Sequence, residues 1–195
     1  MNNVGNLSTV KEVEKIVKIR ASEEDWNFHI LLVVKYALLL AKNYKIDKKQ
    51  VELAALLHDI GRLPYSDKKD KTHHIRGVKE ATKILRRLKY PENKIKEIQK
   101  VIICHRGSGS VKPKTVLEKI IANADAMSHF DTLPLFYYWR GKRGESFAEI
   151  TKWVEEKLDR NIKKKITLSQ AQKMVREKYL LNKRILENLK KVKNF

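Results

Sequence analysis

Six histidines and a few carboxylates set the chemistry open to this 195-residue chain. The segment Val51–Leu57 carries one charged residue, Glu52, and ends on His58-Asp59. A helix so apolar on all sides is predicted to be buried. An aspartate in its last turn meets the negative end of the helix dipole and is desolvated as well. Asp59 therefore needs a cation beside it. A divalent metal with His58 as a neighbouring ligand answers that need, and so does an ion pair with an arginine or histidine that merely caps the helix.

The other histidines bear on that choice. His29 lies in the apolar stretch Trp26–Ala41, His73 and His74 open a later helix, and His105 closes the next. Asp125 lies within the apolar stretch Ile120–Met127. Four helices thus each offer an imidazole or a carboxylate from a buried or terminal position, as an all-helical metal cage requires. Mixed imidazole and carboxylate donors suit Mn, Fe, Co, Ni or Zn and leave room for Mg.

Hydrophobic periodicity near 3.6 predicts the elements that hold these residues, and it is helical almost throughout. A first helix is predicted over Thr9–Arg20, and a second from the Ser22 cap to about Asn43. A capping box, Asp47 to Gln50, opens a third that runs to Leu57 and stops at Gly61 and Pro64. A polar loop follows to Lys71, then helices at His73–Leu88, Pro91–His105 and Thr115–Phe130. After Pro134, Phe136-Tyr137-Tyr138-Trp139 precedes a hinge at Arg140–Gly144. Stripes at Phe147, Ile150, Val154, Leu158 and Ile162, and at Ala171, Met174, Val175, Leu181, Ile185, Leu189 and Val192, predict a basic helical hairpin. The fold class read here is all-α. A compact bundle occupies residues 1–135, and a C-terminal helical extension, 136–195, packs on it.

His29, then His58-Asp59 in Leu-Ala-Ala-Leu-Leu-His-Asp-Ile-Gly-Arg, then Asp125 in Asn-Ala-Asp-Ala-Met, resembles the HD superfamily of metal-dependent phosphohydrolases. The resemblance covers about residues 22–135. Asp25-Trp26, His-His-Ile-Arg-Gly and Cys-His-Arg-Gly are similar to small single-domain prokaryotic members. It implies that His29, His58, Asp59 and Asp125 bind a first metal. It also implies that His73 and His105 either bind a second, with Asp59 bridging, or hold the substrate phosphate. Dinuclear relatives often carry a further histidine where this chain has Arg106, so one ion and two are both open. Arg62 matches a basic position turned towards phosphate, and Arg106 offers a second guanidinium. The implied reaction is hydrolysis of a nucleotide or another small phosphate ester by metal-activated water, with Asp59, Arg62, His73, His105 and Arg106 as catalytic residues. Manganese heads the metals, ahead of Mg, Co, Ni, Fe and Zn.

Cys104 is the single cysteine, which excludes a disulfide framework and a Cys-rich zinc module. It is read as a buried apolar residue. No apolar run reaches the ~20 residues of a spanning helix, and the expected compartment is the cytoplasm. Charge is uneven: residues 1–60 hold 9 basic and 8 acidic residues, 61–130 hold 17 and 7, and 131–195 hold 17 and 8. This field favours a small anionic substrate and admits a cyclic-nucleotide or oligonucleotide phosphodiesterase, or a non-enzymatic nucleic-acid-binding module. A di-iron oxygenase is a further enzymatic class open to the fold, and a homodimer is also open. Lys163, Lys164, Lys165, Lys190, Lys191 and Lys193 read as a solvated helix face. His74 is given no role, His129, one helical turn beyond Asp125, either supports the ligands from behind or has none, and Gly107–Ser110 reads as a loop. The aromatic cluster Phe136–Trp139 reads as core that joins body and hairpin, with base stacking as its alternative.

Overall fold

The computed structural model describes residues 4–63, 72–105 and 111–192. Among them there are helices and no strand, as the periodicity predicts. The α-helices are α1 (Val4–Arg20), α2 (Glu23–Asp25), α3 (Leu31–Ala41), α4 (Lys48–Leu57), α5 (His73–Arg87), α6 (Glu92–Cys104), α7 (Val116–Ser128), α8 (Leu133–Gly141), α9 (Phe147–Arg160) and α10 (Ser169–Val192). A π turn, Trp26–Ile30, joins α2 to α3, and another, Asn161–Lys165, follows α9. A 3-10 turn, Ile60–Arg62, follows α4. No helix of the described residues is long and apolar enough to cross a membrane. Pro64, the polar loop after it, Arg106 and Gly107–Ser110 lie outside the described residues.

Caps explain where the helices begin. Ser22 accepts from the Asp25 N–H at 3.1 Å, and Asp47 from that of Lys49 at 3.0 Å. The box expected at Asp47 is one-sided, because the Gln50 amide turns instead to Lys94 and Glu97. Reciprocal boxes stand at Thr115/Glu118 and Ser146/Glu149. Several sequence boundaries shift by a residue or more, and the largest shift is in the first helix, which begins at Val4 rather than Thr9. Pro91 and Thr115 are caps rather than first helical residues, and the helix expected from Ser22 to Asn43 is interrupted by the π turn.

Helix α7 is the axis. Every residue from Ile120 to Ser128 is buried, because α3, α4 and α6 flank it on one side and the α9–α10 hairpin on the other. The hairpin is held by more than its apolar stripes. The Asn123 Oδ1 accepts from the Thr167 N–H at 2.9 Å and the Leu168 N–H at 3.1 Å, which pins the start of α10 to α7. The Asn182 amide donates to the Phe130 carbonyl at 2.9 Å, and Lys178 bonds both Tyr36 and Asp131. The stripe expected on α10 is displaced: Leu181, Ile185 and Val192 face solvent, while Asn182 and Leu186 are buried. The hinge expected at Arg140–Gly144 is the end of α8 and a tight turn in which Gly144 takes φ +74°.

Gly61 is needed for a reason the cap reading missed. It has no left-handed conformation; it touches α5. A Cβ there would lie 2.0 Å from the His73 carbonyl oxygen and 2.4 Å from the Gly77 nitrogen. The Gly61 carbonyl also accepts from Arg76 Nε at 2.7 Å. Backbone meets backbone, so neither side can yield by a rotamer change. Gly61→Ala is expected to cost roughly 3 kcal/mol or more, a fall in Tm of about 6–12 °C for a chain this size. Gly141→Ala, where a new Cβ meets nothing within 4 Å, should leave Tm level or raise it slightly. Calorimetric melts of both variants make the comparison, and equal Tm values would disprove the contact argument.

Candidate functional site

Each of the described histidines and aspartates that converge arrives from the end or the irregular part of an element. The π turn buries Trp26, His29 and Ile30 together and leaves Phe28 53% exposed. His58 is the C-cap of α4, so Asp59 stands just beyond the helix, at φ −111° and ψ 13°, rather than in its last turn. His73 is the first residue of α5, brought to the 3-10 turn by the Gly61–Gly77 contact. His105 caps α6, and Asp125, Ser128 and His129 lie at the end of α7.

These residues converge in two overlapping groups, His29–His58–Asp125 and Asp59–His73–His105, whose ligand atoms lie within 4.8 Å of one another in each group. Hydrogen bonding fixes the tautomers. His58 Nδ1 donates to the Ala55 carbonyl at 2.7 Å, and His105 Nδ1 to the Ile102 carbonyl at 2.7 Å. His29 Nδ1 donates to Ser128 Oγ at 3.2 Å, whose own hydroxyl donates to the Asp125 carbonyl at 2.8 Å. In their neutral forms all three rings therefore turn a bare Nε2 lone pair into the site. Two of them, on His29 and His58, face each other at 3.2 Å. Asp59 Oδ2 stands 3.5 Å and 3.7 Å from the same two atoms, and Asp59 Oδ1 stands 3.1 Å from His105 Nε2. Acceptors facing acceptors in a buried site repel unless a cation sits among them. The donor set therefore fits metal ions, and anchored Nδ1 atoms are what metal-binding imidazoles show.

His129, one helical turn beyond Asp125, lies parallel to His29 with ring centroids 5.7 Å apart. The Asn161 amide donates to its Nδ1 at 3.0 Å, so this ring carries its hydrogen on Nε2 and turns a donor towards Asp125, 3.7 Å away. It differs in kind from the three ligand-like rings. His74 stands apart from both groups, and Cys104 is buried.

Charge around the site is partly paired. Arg62 reaches Asp59 Oδ2 at 3.1 Å while remaining 46% exposed, so the capping ion pair weighed from sequence is present. Lys165, expected on a solvated face, is turned inward to Asp125 Oδ2 at 3.4 Å. Burial alone would raise both carboxyls. Arg62 and His58 outweigh it at Asp59, and Lys165 and His129 at Asp125, holding both below the usual carboxylate range. Burial pushes His58 down to about 4, and burial followed by the charge of Lys157 pushes His129 well below its ordinary value. Burial, then Lys165, lowers Lys157 to about 7. Above the two groups opens a cavity of about 720 Å³. Its walls are Asp25, His29, Asp59 and Arg62 on one side, and Phe136, Arg140, Trp153 and Lys157 on the other.

An HD domain model matches residues 28–129. An uncharacterized protein of Methanocaldococcus jannaschii is 34% identical in a match that covers 50% of this chain and 62% of that relative. The chain thus spans less than two thirds of the curated relative it matches. Three solved structures share the fold. Bacillus subtilis YpgQ in complex with ADP has a TM-score of 0.75 at 19% identity, over 96% of both chains. Lin1889 of Listeria innocua has 0.73 at 20%, over 97% of this chain and 96% of its own. An HD-superfamily hydrolase from Bacillus thuringiensis has 0.68 at 19%, over 97% and 96%.

A pH dependence follows from the buried imidazoles. In metal-free protein the folded His58 has the lower pKa, about 4 against 6.5, so the unfolded chain takes up its proton first. Its contribution is complete above pH 6.5 and is lost as pH falls to about 4, by roughly 3 kcal/mol in all. His129 acts in the same direction, and the two aspartates act only below the unfolded carboxylate value of 3.8. Urea midpoints in chelator are expected to fall from about pH 7 towards about pH 4.5. A flat profile would show that these rings take up protons in the folded state.

Proposed function

The chain belongs to the HD domain family, and on that premise we propose that it is a metal-dependent phosphohydrolase acting on a nucleotide or another small phosphate ester. The observation that carries this reading is the convergence of bare Nε2 atoms and carboxylate oxygens beneath a cavity with cationic walls. His29, His58, Asp59 and Asp125 would hold a first ion. Asp59, His73 and His105 would hold a second, and the opposed acceptors at Asp59 Oδ1 and His105 Nε2 support it. Imidazole and carboxylate donors suit Mn, Fe, Co, Ni or Zn, and manganese is the first to test. Bound there, a divalent cation neutralises phosphate charge and makes a hydroxide nucleophile available near neutral pH.

The chain's own residues do the rest. Asp59 sets one oxygen towards each group and so fixes the spacing between them. Arg62, tethered to Asp59 yet half open to the cavity, can turn its remaining N–H donors to the equatorial oxygens of a phosphoryl group. His129 presents an N–H at the cavity wall, and its orientation is kept by Asn161. Phe136 and Trp153 wall off the far side and leave an apolar face for the non-phosphate part of a substrate. A cavity of about 720 Å³ accommodates a nucleotide, and the ADP held by the Bacillus subtilis relative supports that class.

Nucleoside mono-, di- and triphosphates and cyclic nucleotides, assayed for phosphate release with Mn, Mg, Co and Ni, test the reading. Asp59→Ala is expected to lose metal and turnover together, and full metal occupancy in that variant would remove the assignment. Arg62→Ala is expected to keep its metal and lose about 10²–10³-fold in kcat/KM. Loss of metal from a folded Arg62→Ala protein would show that the guanidinium serves Asp59 rather than substrate.

A further inference from the structure

The far wall of the cavity comes from α8 and α9, outside the segment matched by the HD model. Three of the six lysines and arginines that line the cavity already have an anion, and Lys142 bonds the Tyr138 hydroxyl. Arg20 pairs with Glu80, Arg62 with Asp59, and Arg140 with Glu145. Lys157 differs. Its ammonium makes no hydrogen bond or ion pair among the described residues and lies in a slot between two rings. It is 5.3 Å from the centroid of Phe136 and 5.4 Å from that of Trp153. The charges that act on it are mostly its own kind: Lys165, Arg160 and Arg62 repel it. Asp125 attracts it but is already engaged by Lys165 at 3.4 Å.

A half-buried ammonium held among like charges weakens the folded state. Ring faces recover part of that loss. Neither packing nor pairing explains why a lysine rather than a methionine fills the slot. An anion entering the cavity does. We propose that Lys157 is a substrate ligand that takes a phosphate oxygen, so that α9 completes an anion site begun by Arg62. This rests on the reading of the cavity as the substrate site. The aromatic slot acts as a positioning device: it restrains the lysine stem and leaves the Nζ at the cavity wall, where the phosphate arrives.

The experiment compares full-length wild type with Lys157→Met, both stripped of metal, by calorimetric titration with inorganic pyrophosphate and with ADP. Methionine keeps an unbranched apolar stem between Phe136 and Trp153. Wild type is expected to bind both anions, and the variant to bind both about tenfold or more weakly, the loss of one charge-assisted contact. Lys157→Arg should restore most of the affinity. Lys157→Met should also melt at a higher temperature than wild type, because an unpaired charge has gone, and its manganese binding should be unchanged. If the methionine variant fails to fold, Lys157→Gln gives the same comparison. Failure of wild type to bind either anion, or equal affinity in wild type and variant, overturns the proposal whether or not an ester is hydrolysed. Anion binding that depends on Lys157 in a protein that releases phosphate from no ester would uphold this site and remove the hydrolase reading.

Discussion

Bare acceptors turned towards one another in a buried space are the constraint on which this structure depends. His29 Nε2 and His58 Nε2 are 3.2 Å apart, with the Asp59 carboxylate beside both. Rotating a ring would not relieve the conflict, because each Nδ1 is committed to a carbonyl or to Ser128. A proton is a poor remedy, since burial pushes His58 down to about 4. A cation at the centre satisfies all of these atoms at once. The helices thus hold together a set of acceptors that Arg62 and Lys165 neutralise only at its edges, and a divalent cation would answer the rest.

The packing shows how the acceptors are forced together. Asp59 lies on the short path from α4 to the 3-10 turn, and that turn can reach α5 only because Gly61 lacks a side chain there. The same approach sets His73 beside Asp59, so a steric requirement two residues away completes the second group. On the other side, α7 brings Asp125 inward and is fixed by bonds from the hairpin: Asn123 to the start of α10, and Asn161 to His129 and, at 3.5 Å, to the Ala126 carbonyl. These buried amides restrict α7 to one rotation about its axis, which apolar contacts alone would hold less tightly.

Much of this was legible in the residues. Helical periodicity identified most of the helices, because each presents an apolar stripe to one common core, but it passed over α8, whose aromatic run read as a cluster before a hinge. The ligand-like histidines and aspartates were legible because polar groups in apolar stretches need partners. Three features were not. The π turn leaves no mark in periodicity, since His29 sits on the apolar side of a regular helix as well. Gly61 read as a helix stop, and only tertiary contact shows it as a point of close approach. His129 was marked only by its place one helical turn beyond Asp125 and Lys165 not at all, because each depends on a partner 32 or 40 residues away in sequence.

The excess positive charge shows why composition alone is a weak guide to a ligand. As a solvated face, the C-terminal lysines would be equivalent. The structure divides them by helical phase. Val154 and Leu158 define the core face of α9, Lys163 stands 69% exposed beside Asp159, and Lys157 and Lys165 flank the core face on the side that meets α7. Lysines at that boundary can direct their charge only into the cavity or against Asp125. The hairpin thus adds to the site a cation that no residue of the ligand-bearing helices provides, and an anion in the cavity would meet groups from both parts of the chain. A field that acts over a Debye length brings any anion closer. One ammonium held between two aromatic rings, with no carboxylate bonded to it, would select where that anion stops.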